Sequence, residues 1–137
     1  MDFILIDSDV LIEVLRQSAV ATAELLRART AAPLAVSVIT RMEIVVGSNN
    51  RESLQRTEKL LRTVRVLPLN EEISAAADAL VTQFHLSHGM RLADALIAAT
   101  ALVYDVPLLS RNQRDFRFIP GLKLLPYPPA APTTPDT

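Results

Sequence analysis

The chain has 137 residues, half of them hydrophobic and 4% aromatic, and a formal net charge of −1. That length makes one ordinary domain, with enough apolar side chain for a single well-buried core. The absence of cysteine excludes disulfides and thiolate metal sites, and the near-zero charge excludes a global field for polyanions, so such a partner must be held by a local patch or through metal ions.

The N-terminal residues lack a basic region, and their apolar run is too short for a signal peptide or a membrane span, so a cytoplasmic protein with no membrane partner is expected. Phe3 to Ile6 is a continuous apolar run of strand length, the pattern of a strand covered on both faces in a parallel sheet. Asp7, Ser8 and Asp9 end it. Helical spacing follows, with Val10, Leu11, Val14 and Leu15 on one stripe, so Asp7 stands at a strand-to-helix junction. All three polar residues are good caps, but one cap does not require two aspartates.

A helix runs from Ala19 to Arg29 around Leu25 and Leu26, and Pro33 ends it. Leu34 to Val38 is a second strand. The next helix starts at Ser37 or Thr40 and continues to Val46, where Gly47 supplies a C-cap. Its spacing puts Glu43 on one face with Ile39 and Val46, inside the apolar stripe, unless it sits at the edge and pairs with Arg41. Arg51 to Arg62 is an amphipathic helix with Leu54, Leu60 and Leu61 inward. Val64 to Leu67 is a third strand, stopped by Pro68. Asn70 caps a long helix from Glu71 to about Phe84. His85 and His88 have a metal-compatible spacing, but with no cysteine and no third histidine a zinc site is not expected.

The run from Arg91 to Val103 is a helix apolar nearly all round, which belongs inside a domain. Between Leu92 and Val103 its only charged residue is Asp94. A lone charge buried there would cost several kcal/mol or more, so Asp94 needs a cation, donors or water, or else faces solvent in the first turn. A fourth strand surrounds Leu108 and Leu109, followed by a polar stretch from Ser110 to Phe116, a turn at Phe118 to Gly121, and a final edge strand over Leu122 to Leu125. Five of the nine prolines fall after Leu125. The expected organisation is one domain over 1–126 and a proline-rich, disordered tail over 127–137.

Alternating helices and short apolar strands give an α/β class, a three-layer α/β/α sandwich with a central, mostly parallel sheet of four to five strands. Asp7, Glu43 and Asp94 each stand near a helix start beside expected core residues, and Asn112 and Asp115 follow the last parallel strand. Together they suggest one acidic pocket at the carboxyl edge of the sheet. All-oxygen ligands of that kind suit Mg²⁺ or Mn²⁺ rather than zinc.

Four segments carry a family resemblance: Leu5 to Ile12, Ser37 to Gly47, Leu92 to Ala101, and Leu108 to Phe116. In this order they resemble the PIN domain and, within it, the VapC-type toxins of bacterial toxin–antitoxin pairs. The resemblance implies a metal-dependent endoribonuclease in which Asp7, Glu43 and Asp94 hold one or two divalent ions and Ser8 helps position the site. Many members carry aspartate where Asn112 stands, while others have asparagine there and an aspartate at Asp115, so the fourth group is Asn112 or Asp115. It also implies an RNA substrate, a homodimer, and a VapB-type antitoxin that wraps the toxin. The stripes at Leu11 to Leu15 and Leu54 to Leu61 are then either the antitoxin groove or core.

The chemistry expected is attack by an activated water on a phosphodiester, with Glu43 completing the coordination or taking the proton. Arg91, Arg111, Arg114 and Arg117 are candidate phosphate contacts. So little aromatic content favours structured RNA held by shape and backbone over base stacking. Two alternatives stay open. One is a haloacid-dehalogenase-like phosphatase using Asp7 as nucleophile, against which stand only two lysines, Lys59 and Lys123. The other is a non-catalytic module that binds RNA or protein.

Overall fold

The computed structural model describes residues 3–128. Its centre is a five-stranded parallel sheet in the order β3-β2-β1-β4-β5. The strands are β1 (Ile4–Ile6), β2 (Leu34–Ser37), β3 (Arg65–Leu67), β4 (Leu108–Leu109) and β5 (Leu124–Leu125). The helices are α1 (Ser8–Leu15), α2 (Ala19–Ala31), α3 (Val38–Val46), α4 (Arg51–Leu61), α5 (Glu71–His88) and α6 (Leu92–Tyr104). This is the expected sandwich, and the last expected strand is shortened to two residues at the edge.

The period of two in a strand divides the core. Leu5, Ala35, Leu67 and Leu108 face α5 and α6. Ile4, Ile6, Leu34, Val36 and Leu109 face the other way, where they meet Leu11, Leu25, Ile44 and Leu61 of α1 to α4. Every residue of β1 is buried, as a strand covered on both faces requires. The helix that is apolar all round is α6, and from Ala95 onward it is buried at Ile97 through Ala101.

Two sequence expectations about which side chains point inward need correction. Val46 is 82% exposed, because Ile44 occupies the inward position of α3, just as Leu25 rather than Leu26 is the buried leucine of α2. Leu54 is partly exposed, and Thr57 and Leu61 are the buried residues of α4. The long helix α5 runs four residues past Phe84 to His88, until Gly89 adopts a left-handed φ of 62° and closes it. Tyr127 packs against the α1-to-α4 face, and the proline-rich tail after Pro128 lies outside the described residues.

The sheet order places the chain's reversal point beside β1: connections leave toward β2 and β3 on one side, and β4 and β5 lie on the other. In open parallel sheets the crevice at that point, beyond the carboxyl ends of the strands, is where ligands bind. Asp7 follows β1 and Ser110 follows β4, so both stand at this crevice.

Candidate active site

Asp7 leaves β1 with an extended backbone, and its side chain caps α1 by accepting from the Ser8 N–H at 2.8 Å. Its second oxygen accepts from Ser110 Oγ at 2.7 Å, across 103 residues of sequence. The residue is 5% exposed. Burial, followed by the charge of Asp9, pushes its carboxyl up to about 8, with Asp94 adding to the rise and the Ser110 and Ser8 bonds opposing it.

Of the three candidate caps Asp7 takes the role, and Asp9 reaches the β4 loop, accepting from the Arg111 backbone N–H at 3.3 Å and lying 3.5 Å from Ser110 Oγ. Burial raises its pKa, with the Arg111 bond opposing. Ser110 is fully buried and also accepts from the Asn112 N–H at 3.0 Å. Asp9 and Ser110 are therefore parts of the site that sequence reasoning missed. Their signal was a second aspartate after β1 and a serine directly after β4.

Ser37 caps α3, its side chain accepting from the Ile39 N–H at 3.0 Å. That start aims Thr40 and Glu43 at the first turn of α1. Ser8 Oγ donates to Glu43 Oε1 and lies 3.2 Å from the buried Thr40 Oγ1. Glu43 is exposed rather than set in an apolar stripe, and the suggested pairing with Arg41 does not form. Arg41 bonds Glu58 of α4 instead, at 3.1 Å.

Asp94 lies in the first turn of α6 and is 9% exposed. Burial raises its pKa; Arg91 opposes the rise, and the charges of Asp115 and Glu43 add to it. Arg91 Nε sits 3.3 Å from Asp94 Oδ2, and its terminal nitrogen lies 3.7 Å from Asp115 Oδ2. Asn112 donates its side-chain N–H to the same Asp115 oxygen. Asn112 thus holds Asp115, and Asp115 is the charged member of the pair.

Asp7, Glu43, Asp94 and Asp115 come from four separate segments, and Asp94 links them electrically: its charge acts on Asp7, and those of Asp115 and Glu43 act on it. Among the described residues, no three acids or imidazoles are drawn together into a ready-made metal cage. Like charges repel, and Arg91 stands between two of them. The donor set is nonetheless all oxygen, and Asp7 is buried beside two further acids, so the residues fit a hard divalent cation. Arg111, Arg114 and Arg117 are exposed around the Gln113–Asp115 turn. Arg111 lines a groove with Glu13 and Tyr127, while Arg91 is the arginine at the acids. Lys123 pairs with Asp105 at 2.9 Å, at the opposite edge of the sheet from Asp7.

Comparison with known proteins places these features in a context. The PIN domain family model matches residues 4–122. Ribonuclease VapC10 of Mycobacterium tuberculosis strain H37Rv is 39% identical over 121 residues, covering 88% of this chain and 90% of its own. Ribonuclease VapC19 of the same strain is 33% identical over 123 residues, covering 87% and 96%. Among solved structures, a toxin–antitoxin complex from Klebsiella pneumoniae superposes with a TM-score of 0.71 at 32% identity, covering 86% of this chain and 93% of that one.

Proposed function

The chain belongs to the PIN domain family, and from that premise we propose that it is the ribonuclease toxin of a toxin–antitoxin pair, acting in the cytoplasm with Mg²⁺ or Mn²⁺. The observation that supports the reading is Asp7 buried at the carboxyl end of β1 and bonded on both oxygens, close enough to feel the charge of Asp94, which in turn feels Glu43 and Asp115. Asp7, Asp94 and Glu43 are the residues that would hold the ion. When bound, such an ion makes an attacking water more acidic and offsets charge developing on the phosphate.

The remaining roles belong to the chain's own groups. Ser8 steadies Glu43, and the exposed carboxylate of Glu43 is placed to accept a proton from the attacking water. Arg91 holds Asp94 and Asp115 in the free protein, and its guanidinium is exposed enough to turn to a phosphate. Asn112 keeps Asp115 facing the pocket. Arg111 and Arg114, with Arg117, add positive charge along the outer edge for the RNA backbone.

The antitoxin belongs to the same reading. A cleft of about 300 Å³ between α1, α3 and α4 is lined by Ile12, Leu15, Ile44 and Arg56 and opens beside Glu43. A VapB-type segment laid there would lie against Glu43. A homodimer is also part of the proposal, supported by the exposed side chains of Val46, Leu86 and Leu92. The phosphatase alternative loses ground because Asp7 is buried, both its oxygens are engaged, and Lys123 is paired elsewhere.

The decisive test is RNA cleavage by the purified protein with Mg²⁺ or Mn²⁺, compared with Asp94→Asn. Loss of about a hundredfold or more is expected in the variant, together with loss of growth arrest on expression. Cleavage that survives both chelation and Asp94→Asn would overturn the proposal.

A further inference from the structure

The last turn of α5 carries an aromatic group at the edge of the acidic crevice. His88 stacks on Phe118, with ring centroids 4.0 Å apart and planes 14° apart. Phe84 meets His88 at 5.6 Å and Phe118 at 4.9 Å, steeply inclined to both. A ring lying over the outer face of His88 would stand nearly twice as far from Phe118 as Phe84 does. Phe84 therefore sits beside the pair rather than over the outer face of His88. His88 is exposed, and Ser87 Oγ bonds its Nδ1 at the ring edge, at 2.7 Å.

The stacked pair walls one small hollow together with Arg91, Asp94 and Asp115. An exposed ring with one face backed by Phe118 thus stands on the rim of the hollow that Arg91 and the two acids line, three residues before that arginine.

We infer that the outer face of His88, backed by Phe118, is a stacking platform for the nucleobase next to the phosphate that is cut. The inference rests on the ribonuclease reading. It adds one base contact to a recognition mode otherwise built on charge and shape, and it tolerates any base, since each has a π-face. Phe118 backs the ring and Phe84 packs against both, so the platform is already formed in the free protein. Arg91 then meets the phosphate of the same nucleotide.

The test uses the full-length protein with divalent ion and a short RNA carrying a fluorescent purine analogue beside a non-cleavable linkage. Quenching is expected at one position next to that linkage, lost in His88→Ala and kept in His88→Phe. On cleavable RNA, His88→Ala should raise KM about tenfold with kcat within about twofold. Removing the base at the quenched position should abolish the difference between wild type and His88→Ala. Normal KM in His88→Ala, or equal damage from His88→Ala and His88→Phe, overturns the platform while cleavage by wild type leaves the ribonuclease reading intact. Absence of cleavage by wild type overturns that reading instead, and the platform with it.

Discussion

Asp7 does two things that oppose each other: its carboxyl caps α1, and it crowds against other acids in a buried place. Its pKa is pushed from 3.8 to about 8, so the folded chain holds a proton there that the unfolded chain has released. The sign follows from linkage: the protonated form favours folding below the ordinary value, and that advantage is lost as pH rises toward about 8. Without divalent ions, thermal stability should fall between about pH 5 and about pH 8. Asp7→Asn keeps an oxygen for the Ser8 N–H and removes the charge. In calorimetry with chelator present it should raise Tm by several degrees at the upper end of that range and leave it unchanged near pH 4. A slope equal to that of wild type would show that Asp7 is not the group that titrates.

At the scale of elements, the short-range signals were readable and the long-range ones were not. Ser37 and Asn70 each cap a helix through an oxygen that reaches an N–H two or three residues on, a bond whose partners are neighbours in sequence. The apolar runs of β1 and α6 were legible because burial on every side leaves no polar position to misread. What failed depended on which neighbour arrives: Arg41 is drawn to Glu58 of another helix, and Asp9 to a loop more than a hundred positions away. The role of Asn112 was likewise open, because its partner Asp115 could be seen in the sequence while the direction of its amide could not. Asn70→Ala removes the bond to the Ile73 N–H and should cost about 1 kcal/mol. Chemical denaturation should register that loss while RNA cleavage at room temperature is unchanged, since α5 supports α6 from behind and Asn70 lies at its far end from His88.

Two apolar cores, one on each face of the sheet, join the described residues through contacts that need no ion. Folding is therefore expected to be separable from ion binding. Chelation should abolish cleavage yet leave a cooperative unfolding transition, and saturating Mg²⁺ should raise Tm, with a larger gain at pH 8 than at pH 6 because the ion competes with the proton on Asp7. A chelated protein without a folded baseline would place the acids inside the stability of the fold. Ser110, which orients Asp7, stands 103 residues after it, directly behind the strand that pairs with β1. A growing polypeptide that stops short of Ser110 therefore has no assembled cutting edge, and whatever the acids do must wait until the segment behind β4 has been made.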